Sequence, residues 1–196
     1  ARGFPKDEEI LGLYTIIVLG SFPSALISRD SFTALKNYVE GGGNLVMLGG
    51  PNSFDKGGYY NTAIAPLLPW KKSTKGQGIS AGIFPVMVPP EGESHGLLAA
   101  TATILKGVGS PVFFSVNRVG ERRSGAMSLM NASVGSRVVP IVVLQPYGKG
   151  QTLGVATDTL WRWGRMDGDI ADAGHQFWRD TIRYLSGEIE GGRFLT

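Results

Sequence analysis

The sequence contains no cysteine. Disulfides, thiolate nucleophiles and cysteine-ligated metals are therefore excluded outright. This absence says little about compartment, because a cysteine-free chain tolerates either redox environment. Histidine is almost as scarce: only His95 and His175 can serve as a base near neutral pH. They stand far apart in the chain with no His-x-x-x-His spacing, so no metal site is expected. No apolar run reaches the ~20 residues that a membrane helix needs, and the start does not read as a signal peptide. The chain opens at Ala1 without a methionine, as a processed chain or a piece of a longer one would. Membrane attachment is then expected only through segments outside these residues. Clustered charge is missing too, and the net charge is only +3. Lys71-Lys72 with Lys75, and Arg122-Arg123, read as short solvated loop patches, and no nucleic-acid partner is expected.

What is present is a folded domain's composition, with 42% hydrophobic and 18% charged residues over 196 positions. That length suits one core, and a single domain over 1–196 is expected. The 29 glycines show no collagen-like period and point to many tight turns.

The pattern along the chain suggests an α/β fold. Tyr14 to Leu19 is β-branched and apolar, the look of a strand covered on both faces. Ser28 is placed to cap a helix over 28–40 with Phe32, Leu35, Tyr38 and Val39 on one face. Gly41-Gly42-Gly43 supplies the left-handed residue that ends such helices. A second apolar run, Asn44 to Leu48, stops abruptly at Gly49-Gly50-Pro51. Strand, helix and strand of this size make a βαβ unit with parallel strands. Tyr59 to Leu68 is weakly helical, limited by Pro66 and Pro69. From about 70 to 150 the texture becomes β-rich with short connections, so antiparallel pairing is expected, with a short helix near 97–105. Pro140, inside one run, argues for an edge or a bulge. Tyr147-Gly-Lys-Gly150 reads as a tight hairpin feeding a strand over 151–157. A polar loop through Asp172 precedes a last helix from about Gly174 to Leu185, with Phe177, Trp178, Thr181, Ile182 and Leu185 as its buried stripe.

Taken together these segments resemble class I glutamine amidotransferase-like domains. The resemblance rests on Tyr38-Val-Glu-Gly-Gly-Gly-Asn-Leu-Val-Met-Leu-Gly-Gly-Pro-Asn-Ser-Phe54 and on Gly57-Gly-Tyr with Pro66-Leu-Leu-Pro69. Tyr147-Gly-Lys-Gly150, Ala156-Thr-Asp-Thr-Leu-Trp-Arg-Trp163 and Phe177-Trp-Arg179 complete it. It is nearest to the uncharacterised branch found in bacterial membrane-anchored proteins beside von Willebrand factor A-type segments. It implies a flavodoxin-like sandwich with a mostly parallel central sheet, a partly antiparallel β-rich insertion, and a site at the strand ends. Members usually carry another strand and helix before the point where this chain begins. True amidotransferases attack glutamine with a cysteine activated by histidine, and here that nucleophile is absent. No family-type glutaminase activity and no cofactor are expected.

Other chemistries compete for the same residues. Ser53, after the strand turn, would need a histidine and an oxyanion hole, and Gly-x-Ser-x-Gly is not met; the alternative is a helix-capping Ser53 or Asn52. Asp158, at a strand end, could orient a base or bind a sugar hydroxyl, or simply cap a turn. Trp161 and Trp163 alternate with Arg162, so one ring could stack on a ligand while core packing explains the other. Asp167-Gly-Asp169 with Asp172 lacks EF-hand spacing, and neither glycine cluster has the pattern of a phosphate loop. The vestigial-site candidates are thus Gly50, Asn52, Ser53, Asp158 and His175, and the ligand-binding candidates Asp158, Trp161 and Trp163. The expectation is a non-catalytic binding or interaction domain of a bacterial cell-envelope protein, its partner another protein or another domain of a longer chain. A hydrolase with non-cysteine chemistry at the 49–53 turn and a carbohydrate-binding domain are the alternatives.

Overall fold

The computed structural model describes residues 3–74, 76–109 and 111–190; Ala1 and Lys75 lie outside them. After α1 (Glu8–Gly12), the chain forms β1 (Ile16–Gly20), α2 (Arg29–Glu40) and β2 (Asn44–Leu48). Ser28 Oγ accepts the Ser31 amide and starts α2. Gly41 closes the helix in right-handed geometry, and Gly42 (φ +125°) takes the positive-φ conformation. β1 and β2 run parallel, in register from Ile16–Asn44 to Gly20–Leu48. The expected βαβ unit is therefore present.

Two single turns of 3-10 helix, Tyr59–Asn61 and Ala65–Leu67, occupy the weakly helical stretch. Then follow β3 (Ile79–Met87), α3 (Pro90–Ser94), α4 (Ala99–Gly107), β4 (Val112–Asn117), β5 (Met127–Val134), β6 (Arg137–Tyr147), β7 (Gly150–Val155), a 3-10 segment at Leu160–Arg165 and α5 (Asp169–Leu185). All seven strands join one sheet in the order β1-β2-β7-β6-β5-β3-β4.

The sheet is not mostly parallel. Only β1–β2 and β2–β7 pair in parallel; β7–β6, β6–β5, β5–β3 and β3–β4 are antiparallel. Strands with short connections return alongside their predecessors, and a parallel pair needs a long crossover. The β-rich region is thus an extension of the same sheet. β1 is also less covered than its apolar run suggested. It lies at the edge, paired only with β2, and Val18 is 53% exposed. β2 and β7, by contrast, are buried at consecutive positions, which requires cover on both faces. α2 packs on β2 and β7, while α3 packs on β5 and joins α4 and α5 in a second helical group.

Pro140 shows why proline is tolerated in an interior strand. β6 meets β7 only from Val142 onward, so Pro140 lies beyond its neighbour's end, beside a register shift in β5. The Tyr147–Gly150 hairpin forms as expected, with Gly148 at φ +59°. α5 begins at Asp169, five residues before the expected start, placing Asp169 and Asp172 in its first turn. There they favour the positive end of the helix dipole, a structural role for the acidic stretch. Ile182, expected in the buried stripe, is 49% exposed.

The sheet curls until its last strand reaches β7. Asn117, ending β4, donates its amide to Ala156 O just beyond β7. Its side chain then clamps the turn after β2: Oδ1 accepts Gly50 N at 3.0 Å and Nδ2 donates to Gly50 O at 2.9 Å. Asn117 is buried, so both Gly50 groups depend on it. A Cβ on Gly49 would lie 2.6 Å from the Thr157 backbone, so the close approach requires glycine.

His95 is a core residue. Its Nδ1 accepts Leu97 N at 3.2 Å, which puts the proton on Nε2, and its ring meets Tyr184 edge-on at 4.8 Å. Burial holds its pKa below the usual 6.5. The folded state therefore resists protonation of His95, while the unfolded chain takes up a proton below about pH 6.5. Its contribution to stability is present above that pH and is lost as pH falls toward the folded pKa.

Two outcomes follow from these contacts. Replacing Asn117 with alanine strands a buried amide N–H and a carbonyl, at about 1–3 kcal/mol each, and denaturant unfolding should show a loss of about 2–6 kcal/mol; a loss below about 1 kcal/mol would contradict the clamp. His95→Asn keeps an acceptor for Leu97 N but cannot titrate. Between pH 7 and pH 5 its unfolding free energy should fall less steeply than wild type, by up to about 1.4 kcal/mol per pH unit. Identical slopes would show that His95 does not titrate as described.

Candidate functional site

The alternation of strand directions brings one set of strand ends together. The carboxyl ends of β1, β2, β7, β5 and β4 and the amino ends of β6 and β3 lie at the same end of the sheet. In open α/β sheets ligands bind beyond the carboxyl ends of the parallel strands. Two structures occupy this end here, a tight polar turn and a basic groove, and Asn117 belongs to both.

The turn is built by close packing and strain. Gly50 has φ +139°, with Ser21 against the position a Cβ would take. Ser21 itself has φ +40°, and Phe54, also beyond β2, has φ +52°. Positive φ at non-glycine residues costs energy and marks sites whose geometry the surroundings impose. Ser21 Oγ accepts Asn52 N at 3.2 Å, so the turns after β1 and β2 hold each other. Asn52 is exposed, and its main chain makes this contact.

Ser53 is buried, and its hydroxyl donates to Leu48 O at 2.7 Å. The proton a nucleophilic serine must give to a base is committed to the main chain. Asp158 is exposed beyond β7 and accepts a hydrogen bond from Ser115 Oγ of β4. Thr157 Oγ1 donates to Ser115 O at 2.8 Å, and Thr159 Oγ1 accepts Phe114 N at 3.1 Å. These bonds are a second seam between β4 and the end of β7.

The histidines do not join this arrangement. Tyr184, against which His95 packs, donates to Gln151 at the amino start of β7, the opposite end of the sheet from Asp158. His175 is exposed on α5 beside Gly164. No hydrogen bond links either histidine to Ser53 or Asp158 among the described residues. The tryptophans also part. Trp163 is fully buried, stacks on Phe113 at 5.6 Å and donates Nε1–H to Val112 O at 2.8 Å. Trp161 is 56% exposed, with the Arg162 and Arg165 guanidiniums 5.7 and 5.9 Å from its ring centre. The two indoles do not form a shared stacking platform.

The groove encloses about 790 Å³ and was not apparent from the sequence. Lys71, Lys72, Arg118, Arg122 and Arg137 line it, with Glu121 as the one carboxylate among the described residues of the lining and Val116, Val139 and Pro140 among its apolar surface. These cations are scattered over almost seventy positions and read singly as solvated loops. Their common signal is placement next to strand ends, which becomes visible only once the strand directions are known.

Comparison with known proteins supports the architecture. No curated protein matches the chain. Among solved structures it is similar to two cytoplasmic proteins of Salmonella typhimurium. One has 20% identity and a TM-score of 0.70 over 97% of this chain and 77% of the other. The second has 22% identity and a TM-score of 0.72 over 95% and 76%. It is also similar to part of a beta-galactosidase from Bacillus circulans, with 14% identity and a TM-score of 0.56 over 91% of this chain but 23% of that enzyme. At these identities the likeness is one of fold. The sequence profile described as "Putative glutamine amidotransferase" matches residues 1–187. The chain therefore belongs to the glutamine amidotransferase-like family.

Proposed function

We propose that this domain binds rather than catalyses, using the strand-end architecture of the amidotransferase-like fold without its nucleophile. The observation that carries the reading is the turn after β2. The chain has no cysteine, and the hydroxyl that the turn itself carries, that of Ser53, is buried and spends its proton on Leu48 O. A nucleophile requires a base within hydrogen-bond reach and an accessible oxygen. Ser53 has neither a histidine partner nor exposure. The polar contacts around it are those of a structural seam.

The setting we propose is a bacterial cell-envelope protein in which this domain contacts another protein or another part of a longer chain. The support is the resemblance of the 38–54 and 156–163 segments to the membrane-anchored branch of the family. No helix among the described residues is long and apolar enough to cross a membrane, so tethering would come from segments beyond these. The two Salmonella proteins are described as cytoplasmic, which makes fractionation of the full-length gene product the test of setting. Recovery in the membrane fraction is expected, and wholly soluble recovery would refute the envelope assignment.

The purified domain should release no ammonia from glutamine and no product from a p-nitrophenyl ester above the buffer rate. Ser53→Ala should leave those blank readings unchanged. Turnover that disappears in Ser53→Ala would establish the hydrolase instead.

A further inference from the structure

We infer that the groove at the carboxyl end of the sheet is a binding site for a small multivalent oxyanion, a compound with two or more phosphate or carboxylate groups. This rests on the binding-domain reading and specifies the ligand chemistry of the same end of the fold.

Charge is the first argument. Among the described residues five cations face one carboxylate in the groove, a local excess larger than the net charge of +3 on the entire chain. Such concentration in a concave site focuses the field on an incoming anion. Two of the five are partly neutralised: Lys71 lies 3.5 Å from Glu121, and Lys72 lies 3.9 Å from the buried Asp55. Arg118, Arg122 and Arg137 have no ion pair among the described residues. The unpaired groups are thus all guanidiniums, whose planar fork matches phosphate and carboxylate oxygens two at a time.

Preorganisation is the second. Arg118 follows Asn117, the residue clamped onto Gly50 and Ala156, so its backbone is fixed. Its Nε donates to Ser80 Oγ at 3.1 Å, and its amide N–H donates to Gly78 O. One edge of the guanidinium is held by the protein, and its terminal nitrogens remain to contact a ligand. Less side-chain freedom is then lost on binding.

The groove's size and lining restrict the class of anion. A volume of about 790 Å³ suits a small molecule. Among the described residues no aromatic ring lines it, so stacking of the kind that holds nucleobases has no platform there. Val116, Val119, Val139 and Pro140 offer instead a smooth aliphatic surface. A short molecule with separated anionic groups fits these constraints better than a nucleic acid does.

The test is isothermal titration of the purified domain with sodium tripolyphosphate and, separately, with citrate, which distinguishes phosphate from carboxylate. An oligothymidylate serves as the polymer control, and Arg118→Gln, Arg137→Gln and the remote, exposed Arg179→Gln complete the set. Saturable binding of one or both small anions is expected, weakening as salt is raised. Each groove substitution should lower affinity about five-fold or more, and Arg179→Gln should not. Circular dichroism confirms that the variants fold. Absence of saturable binding, or equal weakening by Arg179→Gln, overturns the proposal. Tighter, arginine-dependent binding of the oligothymidylate overturns it in favour of nucleic acid. Phosphate release during the titration separates the two readings. Arginine-dependent binding with hydrolysis would sink the non-catalytic function and keep the groove, whereas neither binding nor hydrolysis would sink the groove and keep the non-catalytic function.

Discussion

The clamp of Asn117 on Gly50 is the contact on which the end of the sheet that carries the groove depends. A parallel β1–β2–β7 core has its carboxyl ends open, and the turn after β2 leaves with buried main-chain groups that need partners. Asn117 satisfies two of them with one amide, and its own backbone fastens β4 to the end of β7. With the Ser115 and Thr157–Thr159 contacts, it draws the far edge of the sheet round to the centre. Without the curl, Arg118 would have no fixed relation to the strand ends, and the walls of the groove would not face each other.

The same packing explains why the turn is polar and yet has its polar atoms engaged by the main chain. Ser21, Gly49, Gly50 and Ser53 are held by neighbours that take up their polar atoms or their space. Strain is present at Ser21 and Phe54, while the Asn52 N–Ser21 Oγ hydrogen bond holds the turns after β1 and β2 against each other. The hydrogen bonds at this turn fasten the segments after β1 and β2 to each other and to the end of β4. Fold and chemistry can separate because a site resides in a few side chains, whereas a fold resides in the whole core.

The parts of this arrangement that were legible beforehand are those with local causes. Ser28 capping α2, the Gly148 hairpin and the break at Gly49-Gly50 each arise from residues within a few positions of one another. Pro140 announced an irregularity because a proline nitrogen cannot donate, whatever surrounds it. The Asp169–Asp172 stretch misled because acidic and glycine residues suit both a loop and a first helical turn. The apolar run of β1 misled because it does not state how many neighbours the strand has.

By itself, the sequence determined that no cysteine chemistry occurs, that a βαβ unit opens the fold, and where its turns lie. Only the tertiary structure decided that most strand pairs are antiparallel and that Trp163 is core while Trp161 is not. It likewise sent His95 to the opposite end of the sheet from Asp158 and assembled the basic groove. The physical reason is range. Propensity, capping and turn geometry act over a few residues. The meeting of Arg118 with Arg137, or of Asn117 with Gly50, is enforced by strand order and burial across the whole chain.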